Sequence, residues 1–275
     1  MPEVRLVQID AFADEVFRGN PAAVMPLQEW LPDVTLQRIA QENNLSETAF
    51  FTTALPAGVD RPDGPAYHLR WFTPVTEVDL CGHATLATAG LLFDEEHGQD
   101  HTIHFWTRSG WVAVSRTDRS AELVLDFPAG ILKHTTETRA QAAVSVTPIA
   151  QFEDTDLVLV VADTQTVRSA VPNYTVLAEL PFRGVIVTGP SDIDGVDFVS
   201  RWFGAQAGLF EDPVTGSAHS QIAPYWAQRL GRADMVARQL SQRTGTVHCR
   251  VVGNRVQLGG TYRRYLDGRA SIPSG

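Results

Sequence analysis

Two glycines open stretches of the chain that are suited to holding an anion. Gly82 follows Cys81 and precedes His83; Gly216 follows Asp212-Pro213-Val214-Thr215 and precedes Ser217. No Asp, Glu, Lys or Arg occurs from Leu80 to Phe93, nor from Pro213 to Gln228. A glycine at the start of a buried helix lets the backbone come close to a ligand, and the first turn offers free amide N–H groups at the positive end of the helix dipole. If two such helices point at one cleft, the cleft favours an anion, most simply a carboxylate. The side chains beside these glycines are Cys81 and His83 in the first half, and Asp212, Thr215, Ser217 and His219 in the second. Either helix alone fits a packing glycine flanked by capping side chains equally well. Two matching helices favour a site.

A further residue could move a proton. The segment LSETAFF alternates, with Ser46, Thr48 and Phe50 on one side and Glu47, Ala49 and Phe51 on the other. That is strand periodicity, and it sets Glu47 among apolar neighbours. A carboxylate in water is a weak base; in an apolar, closed cleft it loses hydration and its proton affinity rises, so it can take a proton from carbon and return it. Taken by itself, an exposed strand carboxylate is the simpler reading of Glu47.

Other chemistries lack their signatures. VTGSAHS has no G-x-S-x-G elbow, so Ser217 is a poor hydrolase nucleophile. Neither a P-loop nor G-x-G-x-x-G is present. His97, His101 and His104 do not make a metal site, because Gly98 breaks any helix and His101 and His104 would point to opposite faces of a strand. Cys249, in strand-like VHCRVV, reads as core, as do Trp71, Trp106 and Trp202.

These residues need elements to place them. Leu6–Phe12 reads as a strand, followed by a loop at Gly19-Asn20-Pro21 and a short apolar run, Ala22–Met25. Leu36, Ile39 and Ala40 have helical spacing, with Asp33 or Thr35 as N-cap and Asn43-Asn44 as stop. Residues 55–65 are a loop, Tyr67–Thr73 a strand, and the uncharged run after Leu80 a helix buried all round. LVLVV at 157–161 and GVIVTG at 184–189 are apolar strands; two more join at Gly253-Asn254. With an offset of 134, Glu77 falls on Glu211, Gly82 on Gly216 and Ala84 on Ala218, which suggests two related halves. The expected domains are 1–120, to which the last strand of the chain could add, and 121–265, with 266–275 a polar tail.

Composition bounds the rest. The 275 residues include 44% hydrophobic and 20% charged side chains, enough to bury real cores, and length suggests two domains. The formal charge of −10 repels phosphate backbones, so nucleic acid is not an expected partner. Two cysteines cannot make a disulfide scaffold, the N-terminus lacks a signal-like apolar core, and no run approaches a membrane span. A cytoplasmic protein without membrane contact is expected.

Four stretches carry a resemblance: QIDAF with FRGNPAAV (Gln8–Val24), IAQENNLSETAFF (Ile39–Phe51), LRWFTPVTEVDLCGHATLATA (Leu69–Ala89) and GLFEDPVTGSAHS (Gly208–Ser220). In this order the chain resembles the PhzF-like isomerases of the diaminopimelate-epimerase-like superfamily. The resemblance implies an α/β (α+β) fold of two similar domains, each a mostly antiparallel sheet curled around a central helix, with the active site between them. It implies no metal and no organic cofactor, a small carboxylate-bearing substrate, and plausibly a homodimer. The family's acid–base glutamate falls on Glu47, its GHA histidine on His83, and the aspartate and serine of its DP-x-TGS motif on Asp212 and Ser217. Asn20, Gly82, Thr215 and Gly216 join Ser217 as substrate-binding positions.

The expectation is therefore a cofactor-independent isomerase in which Glu47 shifts a proton within one substrate, Asp212 shares a proton with His83, and Ser217 with nearby amides holds the carboxylate. Two alternatives stand beside it. One is a small-acid binding protein on the same scaffold. The other is a one-cysteine epimerase using Cys81, since relatives of that kind place a cysteine before each glycine; here the second position is Thr215, whose hydroxyl is far too weak an acid to replace a thiol.

Overall fold

The computed structural model describes residues 3–117, 122–204 and 210–272. Gly208 and Leu209 of the fourth stretch, and the expected boundary at 120/121, lie outside them. The chain divides into two units, residues 1–126 with 260–275, and residues 127–259.

In the first unit the elements run β1 (Glu3–Ala11), β2 (Asn20–Pro26), α1 (Asp33–Asn43), β3 (Glu47–Thr52), β4 (Ala66–Phe72), β5 (Glu77–Val78), α2 (Gly82–Glu95), β6 (Thr102–Thr107), β7 (Gly110–Arg116) and β8 (Leu123–Pro128), the last crossing the division. The second unit continues with β9 (Lys133–His134), α3 (Ala140–Val144), β10 (Ala150–Glu153), β11 (Leu157–Val160), α4 (Thr164–Arg168), α5 (Tyr174–Glu179), β12 (Val185–Pro190), β13 (Phe198–Phe203), β14 (Glu211–Asp212), α6 (Gly216–Leu230), β15 (Asp234–Gln239), β16 (Gly245–Val252) and β17 (Arg255–Gly260). β18 (Tyr262–Ser271) returns to the first unit and pairs antiparallel with β1.

The two units repeat one pairing scheme. β2 runs parallel to β3, β3 antiparallel to β4, and β4 pairs with the two-residue β5 and, in parallel, with β6. β11, β12, β13, β14 and β15 follow the same order and senses. Each scheme carries the tripeptide Arg-Trp-Phe, at 70–72 and at 201–203. Arg70 grips both carboxylate oxygens of Glu77 at 2.7 and 2.8 Å, and Arg201 those of Glu211 at 2.7 and 3.0 Å. The fork geometry of a guanidinium suits this two-point hold, and it pins each short strand that leads into a glycine-started helix.

α2 is buried at every position from His83 to Phe93. It packs against β1, β2, β3 and β7, with small residues at Ala84, Ala87 and Ala89 that let strands approach. α6 is buried from Ala218 to Ala223 and at Trp226, while Gln228, the last residue of the charge-free run, and Arg229 and Leu230 beyond it are exposed.

Other differences from the sequence expectations have local causes. Pro32 caps α1: its carbonyl accepts from Thr35 and Leu36 N–H, while Asp33 turns to Arg70. Asn44 ends the helix in the left-handed region, φ 48°. Residues 266–271, expected in a polar tail, belong to β18; its ladder to β1 is reinforced by Arg5, which binds Asp267 at 2.9 Å and Glu95 at 2.7 Å. Trp71 and Trp202 are buried, whereas Trp106 is only half-buried and packs edge-on against Trp111. Gly253-Asn254 does form the two-residue turn between β16 and β17. No helix among the described residues is long and apolar enough to cross a membrane.

Candidate active site

In the first unit β3 delivers Glu47. Its partner across the parallel ladder is Ala22, two residues beyond Asn20, so Asn20, Ala22 and Glu47 share a face of the sheet. The same face carries Ala49, opposite the buried Trp71, and is covered by α2. Asn20 is fully buried, Glu47 is 8% exposed and His83 5%. On the other face, Thr48 accepts a hydrogen bond from Asn43 at 3.1 Å. The apolar surroundings expected for Glu47 are present.

α2 brings His83 to that carboxylate. His83 Nε2 lies 3.2 Å from Glu47 Oε2, within hydrogen-bond distance, although the ring N–H direction is not yet aligned. Such bonds are often poorly aligned before substrate binds. The other ring nitrogen, Nδ1, lies 3.6 Å from Cys81 Sγ. Cys81 is the N-cap residue of α2, and its side chain makes no capping hydrogen bond to the helix.

Burial lowers the His83 pKa to about 3, so the ring is neutral at ordinary pH. His219 is lowered to about 4 by burial, opposed by a hydrogen bond to the Thr215 carbonyl. Their folded values lie below the unfolded value near 6.5, so the unfolded chain binds more protons between about pH 4 and 6.5. Stability is therefore complete above that range and falls as pH drops through it. Each histidine contributes a slope of up to about 1.4 kcal/mol per pH unit. Urea unfolding measured from pH 5 to 6.5 is expected to show this loss, and His219→Gln to reduce the slope by about one proton.

Glu47, Cys81 and His83 place ligand-capable atoms within 4.8 Å of one another, a donor set that zinc accepts. One atom from each side chain takes part, so a single ring nitrogen is near both the thiol and the carboxylate.

The second unit holds Asp212, Thr215, Gly216 and Ser217. Asp212 is buried on β14, and its carboxylate accepts from Thr215 Oγ1 at 2.5 Å. Gln239 fixes the loop between them, donating to the Asp212 carbonyl at 2.7 Å and accepting from the Thr215 N–H at 2.9 Å. Gly216 opens α6, whose N-cap residue Thr215 makes no side-chain capping hydrogen bond. Thus Glu47 meets His83 and Asp212 meets Thr215, each pair inside its own unit.

Arg183, absent from the sequence expectations, stands beside Ser217 and donates to its Oγ at 2.8 Å. Its guanidinium also grips Asp156, a fully buried carboxylate, and lies 5.5 Å from the centre of the Trp202 ring. Gln221 donates to Asp156 at 2.8 Å, so the acceptor is held from two sides. The side chain of Arg183 is nevertheless 41% exposed, and Ser217 Oγ, having accepted from it, keeps its own O–H to donate.

The repeat explains this placement. With the two Arg-Trp-Phe strands matched, the ladders put Glu47 where the second unit has Gly184, and His83 where it has Ser217. A Cβ at Gly184 would come within 2.4 Å of the Trp202 ring. The second unit therefore has no room for a glutamate there and carries Arg183 next to it. One unit presents a carboxylate with an imidazole; the other presents a guanidinium with a hydroxyl. The repeated tripeptide marks the two matching strands, and the ladder register then places Arg183.

Residues 9–272 match the family model described as phenazine biosynthesis-like protein (PhzC-PhzF). A Pseudomonas aeruginosa protein named as an uncharacterized isomerase is 47% identical over 267 residues, 97% of this chain and 98% of that one. The crystal structure of a phenazine biosynthesis protein of the PhzF family from Enterococcus faecalis superposes with TM-score 0.89 at 42% identity, covering 98% of this chain and all of the other. A predicted epimerase from Pseudomonas aeruginosa shares the fold, with TM-score 0.74 at 23% identity over 99% of this chain and all of that one.

Proposed function

Given that the chain belongs to the phenazine biosynthesis-like PhzC-PhzF family, we propose that it is an isomerase that moves a proton within a small carboxylate-bearing metabolite, with Glu47 as the group that takes and returns the proton. The observation that carries this reading is the buried Glu47–His83 contact at 3.2 Å on the apolar face of the sheet. Related proteins named as isomerases support the reaction class.

In the forward step the Glu47 carboxylate accepts a proton from a carbon of the substrate, and the electron pair left behind delocalises toward the neighbouring unsaturated group. Glu47 then returns the proton to a different atom of the same molecule. No oxidant or second substrate is needed, and the carboxylate is regenerated. Neutral His83 faces the same oxygen and can donate Nε2–H to it while it is ionised. Asp212, supported by Thr215, is the second acid–base group.

Arg183, Ser217, Gly216 and the first-turn amides of α6 recognise the substrate carboxylate. A guanidinium and a hydroxyl donor together suit a carboxylate, and binding through them leaves the proton-transfer group a separate task. Arg183→Lys keeps the charge near Asp156 but loses the fork. It is expected to raise KM about tenfold, the weight of one charge-assisted hydrogen bond, with kcat within about twofold of the parent; steady-state kinetics separate the two.

The reading as a whole is tested by incubating the protein, with no added metal or cofactor, with a panel of small unsaturated and amino carboxylic acids. Conversion of one acid to an isomer of unchanged elemental composition is the expected result. Tight binding of an acid without conversion would instead favour a binding protein on this scaffold.

A further inference from the structure

The mechanism above leaves Cys81 without a task, yet its thiol faces the ring that supports Glu47. We propose that Cys81 is a positioning residue: its S–H donates to His83 Nδ1 at 3.6 Å and so confines the single proton of the neutral ring to Nε2, 3.2 Å from Glu47 Oε2. The consequence for catalysis rests on Glu47 being the proton-transfer group; the proton's place on the ring does not.

A neutral imidazole has one N–H, so whatever fixes one nitrogen as acceptor makes the other the donor. With the proton on Nδ1, Nε2 would present a lone pair to the carboxylate and repel its ionised form. With the proton on Nε2, the ring favours the ionised carboxylate, the form that can accept a proton from carbon. Cys81 and His83 are both buried, and burial keeps the ring from taking a second proton at ordinary pH. The choice between the two forms is therefore set by the neighbours of both nitrogens, Glu47 at Nε2 and Cys81 at Nδ1.

The second unit supplies an independent parallel. Thr215 occupies the position of Cys81, one residue before the helix-opening glycine, and its hydroxyl donates to the Asp212 carboxylate at 2.5 Å. In both units the residue before the glycine directs a proton donor at a member of the acid–base set. This role also explains how a single cysteine fits the site: a thiol that positions a ring needs no second thiol opposite it.

The test reads the ring directly and needs no substrate. Protein labelled with 15N-histidine, with the His83 signals assigned by their loss in His83→Gln, is expected to show the Nε2–H form in long-range 1H–15N correlations. Cys81→Ser, which keeps a donor, is expected to retain that form. In Cys81→Ala, and in Cys81→Val should the alanine variant not fold, the ratio of Nδ1–H to Nε2–H is expected to rise about fivefold, the weight of one modest hydrogen bond. A wild-type His83 in the Nδ1–H form, or a ratio unchanged in the variant lacking a donor, would overturn the proposal. Once a substrate is known, the donor-free variant should lower kcat with little change in KM. If the tautomer behaves as stated while Glu47→Gln is fully active, the isomerase reading fails and the positioning of the ring stands.

Discussion

Glu47→Gln is expected to lower kcat by about 10³-fold while ligand binding stays within a few-fold of the parent. The amide has nearly the size and shape of the acid, so β3 and its partners should be undisturbed. What disappears is the ability to hold a transferred proton, and a positioned acid–base group contributes about 10² to 10⁴ in rate. The substitution also replaces an acceptor facing His83 by a group that both donates and accepts, so the ring can still be satisfied. Calorimetric titration with the substrate, or with an unreactive acid that binds, measures the retained affinity; single-turnover kinetics measure the lost chemistry. Glu47→Asp is the companion variant: it keeps a carboxylate but withdraws it by one methylene, and is expected to fall between the two.

Trp226→Ala is expected to destabilise the protein by about 3–5 kcal/mol, within the range for deleting a buried tryptophan. Trp226 is 1% exposed, stacks on Phe198 with ring centres 5.4 Å apart and planes 6° from parallel, and donates from Nε1 to Thr188 at 2.9 Å. It ties α6 to Phe198 of β13 and Thr188 of β12. Its loss opens a cavity beneath the helix whose first turn carries Gly216 and Ser217, so substrate affinity should fall together with the urea midpoint. Trp226→Phe keeps the stack and loses the hydrogen bond, leaving the Thr188 hydroxyl its bond to the Val199 carbonyl. A loss of about 1–2 kcal/mol is expected for it. A native-like urea midpoint for Trp226→Ala would mean that α6 is held by something other than this stack.

Much of this arrangement is legible in the amino-acid sequence because it is written in local signals. The charge-free run after Leu80 marks a buried helix because a polar face would have nowhere to go. Alternation in LSETAFF fixes which neighbours Glu47 has, since side chains in a strand change sides at every residue. The glycine-led helix starts are visible because each glycine stands within a charge-free run of the sequence. Partnerships across the chain are not written this way. That His83 meets Glu47 depends on the parallel register of β2 with β3 and on how α2 lies across them. Arg183 lies in no recognisable motif; its placement depends on Asp156, 27 residues earlier, and on a buried Gln221. The end of the chain misled for a related reason: β18 is polar because its outward face is exposed, while its backbone is committed to the ladder with β1.

The internal repeat explains what the two units have in common. Matching strands carry Arg-Trp-Phe and matching short strands carry a glutamate held by the arginine, so both units build the same platform before a glycine-led helix. What differs is what each platform presents. Next to Trp202 only glycine fits, and the polar group moves one residue back as Arg183. Next to Trp71 the equivalent position admits Glu47. That one unit presents a carboxylate and the other a guanidinium follows from that difference in packing.

Solvent isotope incorporation tests the central assignment most directly. Wild-type protein and Glu47→Gln are incubated in heavy water with the acid identified by the conversion screen, and the substrate and isomer are weighed and mapped by mass spectrometry. The account predicts deuterium at the reacting carbon with the wild type and essentially none with Glu47→Gln. Deuterium delivered to that carbon at an equal rate by both proteins would contradict it.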